Sequence, residues 1–231
     1  MATRETFFAR ENDDAELENL NSVFWQSIVS HIDDDYGTGT NIGTIVDIGC
    51  HRGGFLYRAA MHWQCDHVFG IEPLVVPRQM AVSRLEAAGI PATVLHPEFW
   101  NVIPKHSADI ITCQEVLYLI EDLDELFGHI ARVLRPRRRA YFTLGCHTEN
   151  PLWPDWRSRL INMGQRVFDH APLYIMQRAE AAGMRTAVRP LRRDGWIIHS
   201  PSTTTFPVPS IHTLCEHQYR HKLLFRFDAP K

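Results

Sequence analysis

Between residues 44 and 144, short aliphatic runs alternate with stretches of helical period, and few folds accommodate that rhythm. Thr44 to Ile48, His67 to Ile71, Thr93 to Leu95, Asp109 to Cys113 and Ala140 to Leu144 read as strands. The segments between them, Gly54 to His62, Pro77 to Ala88 and Leu123 to Leu134, read as helices. Gly89 stops the second helix, and Arg135-Pro136 stops the third, because a residue before proline is pushed out of the helical region. Strands alternating with helices imply βαβ units with right-handed crossovers, hence an α/β fold with a mostly parallel sheet covered on both faces.

The flanks behave differently. Asp13 to Ile32 places Leu17, Leu20, Phe24 and Ile28 at helical spacing, with acids in the first turn. Beyond residue 145 a polar, tryptophan-rich stretch (CHTENPLWPDWRSRL) leads to a helix over Leu173 to Ala182, closed by Gly183. Two strands are expected after it, Thr186 to Pro190 and Lys222 to Phe227, separated by a long loop rich in Ser, Thr and Pro. Long irregular insertions in compact domains are more often functional than idle.

Charge and composition narrow the partners. A net charge of −3 over 231 residues gives no general attraction to polyanions. A small-molecule substrate is therefore expected, with no nucleic acid. The run Arg135, Arg137, Arg138, Arg139 is the local exception and reads as a solvated turn. No stretch approaches the roughly 20 apolar residues of a membrane span, so no membrane partner is expected. The start, MATRETFFARENDD, turns acidic where a secretory signal needs an apolar core. The five cysteines form no C-x-x-C pair, which speaks against a disulfide framework. A cytoplasmic protein is the expectation.

The chemistry begins at VDIGCHRGG, residues 46 to 54. A strand, a glycine turn and a helix N-terminus present backbone N–H groups to a ligand that can come close. Laid on G-x-G-x-x-G, the loop supplies Gly49, His51 and Gly54, so the middle glycine is missing. In dinucleotide enzymes that glycine lets the backbone approach a pyrophosphate; a ligand without one avoids the objection. Asp47, just before the turn, would attract a cationic group and repel a phosphate. Glu72, ending the second strand, is suited to accept two hydrogen bonds from a ribose diol. One acid for an ammonium and one for a ribose describe S-adenosylmethionine better than NAD.

Three segments in order, VDIGCHRGGFL, VFGIEP and ADIITCQEVLYLIEDLDELFGHIARVLRPRRRAYFTLG, resemble the class I S-adenosylmethionine-dependent methyltransferases over residues 40 to 145. The A-A-G-M followed by two strands also resembles that family's ending. The resemblance implies a Rossmann-like, seven-stranded sheet ending in an antiparallel hairpin, with S-adenosyl-L-methionine across the strand C-termini. It implies a single domain over 1–231: a helical cap or lid at 1–40, a cofactor core at 41–145, and a substrate-side insertion and hairpin at 146–231. By that match Asp47, Gly49, Cys50, His51 and Gly53 line the methionine end, while Glu72 and Pro73 hold the ribose. His96, Glu98 and Phe99 would flank the adenine, and Gln114, Glu115 and Val116 would lie under the sulfonium. Three positions depart from the family pattern: His51 for a glycine, Leu119 for the histidine of V-L-x-H, and Arg137-Arg138 for a glycine pair.

The sulfonium is already a strong electrophile, so the residues needed are those that position and deprotonate an acceptor. His147, just beyond the fifth strand, is the expected base; Tyr118 and Tyr174 are expected to orient the acceptor. Phe7, Phe8, Trp25 and Tyr36 lie in a region suited to a lid, although Phe24 and Trp25 also read as core. Asn150-Pro151-Leu152-Trp153 resembles an amino-methylation box but follows the wrong strand. His212, Cys215, His217 and His221 cluster at a spacing that matches no familiar zinc site, and no metal is expected. The reading is a methyltransferase acting on O or N of a small metabolite. Two alternatives stay open: another carbon of the sulfonium reacts, releasing methylthioadenosine, or the fold binds cofactor without turnover.

Overall fold

The computed structural model describes residues 11–192, 194–197 and 206–230. Its strands are β1 (Thr44–Ile48), β2 (His67–Ile71), β3 (Ala92–Leu95), β4 (Ala108–Gln114), β5 (Leu134–Leu144), β6 (Arg185–Pro190) and β7 (Leu223–Asp228). They form one seven-stranded sheet in the order β3-β2-β1-β4-β5-β7-β6. The first five are parallel, and β7 runs antiparallel between β5 and β6. The expected Rossmann-like fold with a C-terminal antiparallel pair is therefore the observed one.

Helices α1 (Glu11–Tyr36), α2 (Gly54–Trp63) and α3 (Val75–Ala87) cover one face; α4 (Leu123–Val133), α5 (Trp153–Asn162) and α6 (Pro172–Ala181) cover the other. Strand alternation decides which side chain goes where. Ile45, Val68, Ile110 and Tyr141 pack under α1–α3, whereas Val46, Ile111, Phe142 and Phe227 pack under α4–α6. Burial on both faces explains why these strands read as continuous aliphatic runs.

Two α-helices escaped the sequence reading. The Trp-rich stretch folds as α5, with Trp153, Trp156 and Leu160 buried at helical spacing. Pro154 occupies the first turn, where its missing N–H costs nothing. The second is α7 (Ile211–Glu216), which runs into a π-helical turn at His217–His221 before β7.

The basic run is also different from expectation. β5 begins directly at Leu134, and the register jumps between the pairs Ala108–Leu134 and Ile110–Arg139, so the arginines bulge out of the strand. They are paired: Arg135 reaches both Asp109 oxygens at 2.9 and 3.0 Å, Arg138 reaches Asp109 at 3.2 Å, and Arg139 reaches Asp228 at 3.4 Å. Three of the four arginines thus form an ion-paired clasp at the sheet's N-terminal end. Tyr36 belongs to this clasp, since its hydroxyl accepts from the Arg139 N–H at 3.1 Å, and it is no lid residue.

Candidate active site

β1 lies between β2 and β4, with the chain departing to one side and returning to the other. The crevice at such a switch point, beyond the strand C-termini, is where open α/β sheets bind ligands. Gly49 opens the turn at φ 71, and its N–H donates to the Ile71 carbonyl at 2.7 Å. A Cβ there would lie 2.3 Å from Val116 Cγ2, so the first glycine permits contact between the β1 turn and the β4 end. Gly53 (φ 73) faces Ala81 of α3 and stands outside the cavity lining.

His51 adopts φ 48, the left-handed conformation that a glycine would take without strain. The departure from the glycine pattern therefore preserved the backbone path and moved the cost onto the histidine, about 1–2 kcal/mol. His51→Gly is expected to raise the unfolding midpoint by roughly 2–4 °C per kcal/mol recovered. An unchanged or lower midpoint in calorimetric scans would show the conformation is not strained.

The two acids, at the ends of β1 and β2, are locked by hydrogen bonds. Glu72 Oε2 accepts the His51 N–H at 2.9 Å, and Oε1 accepts the Leu74 N–H at 2.8 Å. Each oxygen keeps a second lone-pair direction. Burial raises the Glu72 carboxyl above its ordinary value, against the pull of those N–H groups. Asp47 is 3% exposed, and the Thr112 hydroxyl donates to its Oδ1 at 2.6 Å. Burial pushes its carboxyl up to about 7, opposed by hydrogen bonds from Thr112 and Gln114.

A cavity of about 1540 Å³ opens at this crevice. Gly49, His51, Glu72 and Pro73 line it, as do Glu98 and, at the end of β4 and just beyond it, Gln114, Glu115, Val116 and Tyr118. Asp47 and Cys50 border a small adjoining pocket that shares Gly49, His51 and Gln114 with the main one. The Cys50 side chain itself packs in the core under α2. Phe99 is 54% exposed and outside the lining; Trp100 takes that wall, stacked on His129 with ring centroids 5.2 Å apart. His96 turns back to accept the Glu98 N–H at 3.3 Å.

The expected acceptor side needs correction. His147 is 2% exposed and stands outside the lining. Its Nε2 donates to the His221 carbonyl at 2.7 Å, and its Nδ1 is buried with no hydrogen-bond partner among the described residues, so the ring has no route to a bound acceptor. Tyr174 is 43% exposed on α6, stacked against His170 and facing away from the cavity. Tyr118 does reach the wall, where burial keeps its phenol protonated by pushing it well above the usual range. Phe7 and Phe8 lie outside the described residues. Trp25 borders the small pocket, edge-on to Phe55, while Phe24 lines the main one.

In place of His147 and Tyr174, the π-helical turn supplies His217 and Gln218, and Lys222 follows. Lys222 Nζ lies 3.1 Å from Glu115 Oε1 and 3.5 Å from the Phe24 ring centroid. Glu115 Oε2 accepts the Gly145 N–H at 3.0 Å. A carboxylate expected under the sulfonium thus spends its charge across the end of β5. Because β7 is antiparallel, its first residues share the sheet's ligand end with the last of β5 (Leu223 pairs with Leu144). The sequence carries this wall as HTLCEHQYRH, whose spacing matches no familiar zinc site; among the described residues no three His, Cys, Asp or Glu side chains gather to hold a metal.

Strand order, glycine turn and acidic pair together define the Rossmann-like class I S-adenosylmethionine-dependent methyltransferases. The model of the methyltransferase domain family matches residues 8–186, and this chain belongs to that family. It is an enzyme that uses S-adenosylmethionine. Among curated proteins none matches this sequence. Solved structures share the fold at low identity. A chain of the complex between the Haloferax volcanii Trm112 methyltransferase activator and a candidate methyltransferase superposes with TM-score 0.75 at 18% identity, covering 96% of this chain and 95% of that one. A candidate sarcosine dimethylglycine methyltransferase from Galdieria sulphuraria has TM-score 0.63 at 15% identity, covering 97% and 91%. The geranyl diphosphate C-methyltransferase of Streptomyces coelicolor has TM-score 0.63 at 18% identity, covering 93% and 81%. Among the described residues, no helix is long and apolar enough to cross a membrane.

Proposed function

We propose that the chain methylates a small, largely apolar metabolite bound beside S-adenosylmethionine in the main cavity. The observation that carries this reading is size: about 1540 Å³ against the roughly 300–1,000 Å³ of an ordinary ligand site. That leaves room for a second molecule once the cofactor is seated. Residues 41–145 then hold the cofactor, while 1–40 and 146–231 shape the acceptor side. Support for that division comes from Phe24 and the 206–222 segment, which complete the wall.

The residues suit the cofactor. Glu72 offers two fixed acceptor directions for a ribose diol, and the Gly49 turn leaves space where a Cβ would stand. Asp47 faces the ammonium of the methionine moiety. When bound, the cofactor supplies the electrophilic methyl group; the protein's part is to hold the acceptor in line with it, worth several kcal/mol through orientation.

Asp47 makes the binding pH-dependent. A carboxyl raised to about 7 is protonated in the empty fold at pH 6, whereas an ammonium partner requires it ionised. Affinity for S-adenosylhomocysteine is therefore expected to rise from pH 6 to 8, with a proton released on binding at pH 6. The sign for stability is opposite. A raised carboxyl stabilises the fold below about pH 4, and that stability is lost as pH rises through about 7. Asp47→Asn should thus be more stable than the parent at pH 8, by on the order of a few kcal/mol, yet bind cofactor less tightly. Calorimetry in buffers of different ionisation enthalpy checks this; a flat affinity with no proton exchange would refute it.

The acceptor reading is tested by incubating the purified chain with S-adenosylmethionine and pooled metabolites, then identifying the sulfur product by mass spectrometry. S-adenosylhomocysteine is expected. Methylthioadenosine would mean that another carbon reacts. The Haloferax neighbour was solved with an activator, so turnover that starts only when a second protein is added would replace the stand-alone reading.

A further inference from the structure

Lys222 closes the π-helical turn by donating its N–H to the His217 carbonyl at 2.8 Å, an i→i+5 bond. In an α-helix, at 3.6 residues per turn, side chains five apart point to nearly opposite sides. The wider turn instead brings His217, Gln218 and Lys222 into one stretch of cavity wall. Single π turns recur at functional sites, and here the reason is visible.

Asn150 decides which His217 nitrogen carries the proton. Its Oδ1 accepts the Leu152 N–H at 3.1 Å, and its Nδ2 donates to the Gly145 carbonyl at 2.5 Å, so the amide cannot be reversed. The second Nδ2 hydrogen serves His217 Nδ1, 3.3 Å away, which must accept it. The proton therefore sits on Nε2, which makes no hydrogen bond to a described residue. Burial, reinforced by Lys222, His221 and His147, pushes the ring down to about 3, so it stays neutral and remains a donor. Gln218 is 8% exposed, and its side-chain amide bonds to no described residue. The Lys222 ammonium has three N–H groups, of which Glu115 takes one. Around this cluster the wall is apolar: Phe24, Trp156, Phe206, Val208 and Leu214.

Taking the cavity as an acceptor pocket, as proposed above, we infer that His217, Gln218 and Lys222 form the headgroup site of an apolar carboxylic acid, which the enzyme methylates on oxygen. The cluster donates and contains no unpaired base. An alcohol or ammonium acceptor would arrive with a proton that His217, Gln218 and Lys222 cannot take, and the adjoining Glu115 carboxylate is already held by Lys222 and the Gly145 N–H. A carboxylate needs no base, and its charge balances the sulfonium inside the same cavity. Its oxygen lone pair forms the new O–C bond to the methyl carbon while the C–S bond breaks and its pair returns to sulfur. Anion and sulfonium become a neutral ester and a thioether, and no proton leaves.

Titration calorimetry on the full chain with S-adenosylhomocysteine present tests this, using decanoate and phenylacetate against decanamide and phenylacetamide. The acids are expected to bind at least tenfold tighter than the amides, and S-adenosylmethionine should convert a bound acid to its methyl ester. His217→Phe and Gln218→Leu should each weaken acid binding about tenfold or more, as loss of a charge-assisted hydrogen bond does, with S-adenosylhomocysteine affinity unchanged. His217→Gln, which keeps a donor, should recover most of the loss. Acids and amides binding alike, no binding of either, or acid binding indifferent to both variants overturns the headgroup site while leaving the methyltransferase reading intact. Failure of S-adenosylhomocysteine itself to bind would remove that reading instead.

Discussion

Glu72→Ala is expected to weaken S-adenosylhomocysteine binding by a factor of about 10² to 10⁴. Two hydrogen bonds from a ribose diol to a carboxylate, at about 1.5–3 kcal/mol each, account for that range. The same carboxylate also accepts the backbone N–H groups of His51 and Leu74, which the truncation leaves without a partner. Each orphaned group costs about 1–3 kcal/mol where water cannot reach it. The variant should therefore lose thermal stability even without cofactor. Glu72→Gln separates the two effects: it preserves one acceptor and the side-chain volume, so its binding loss should exceed its stability loss. Binding within tenfold of the parent in Glu72→Ala would remove the ribose assignment.

Lys222→Met should destabilise the fold by about 3–5 kcal/mol, the usual cost of leaving one partner of a buried ion pair uncompensated. At roughly 2–4 °C per kcal/mol, the midpoint drops on the order of 10 °C. The pair qualifies because its side chains are only 6% and 13% exposed. Methionine retains the apolar stem but abandons both Glu115 and the Phe24 ring, which links α1 to the rest of the wall. The double variant Glu115→Gln/Lys222→Met removes both charges and should regain most of the loss. Glu115 is held at φ 56, so part of its cost is backbone strain that the double variant does not relieve. Equal midpoints for the parent and Lys222→Met, in thermal scans at fixed pH, would mean the pair is solvated in solution.

The positions of the glycine turn and the two acids were legible because each is local. Asp47, Gly49 and Glu72 sit at strand ends, and a strand end is set by period and by the glycine or proline that follows. The acceptor half was not. His147 lies at the right end of β5, yet its ring turns to the His221 carbonyl, a partner 74 residues away. Tyr174 opens the right helix but points outward, and on the cofactor side Phe99, expected at the adenine, gave way to its neighbour Trp100. In each case the segment was placed correctly and the side-chain direction was not. One residue of rotation on a short helix or turn moves a side chain from the cavity to solvent.

The sequence by itself determined the sheet, its two helical layers and the carboxylates at the ends of β1 and β2, since apolar period and turn residues act over a few neighbours. Only the tertiary structure decided what faces the acceptor. β7 slots antiparallel between β5 and β6 and carries Lys222 and the π turn before it to the ligand end of the sheet, opposite Glu115 and Phe24. Those groups come from segments about 90 to 200 residues apart, and no local pattern records which of them will meet.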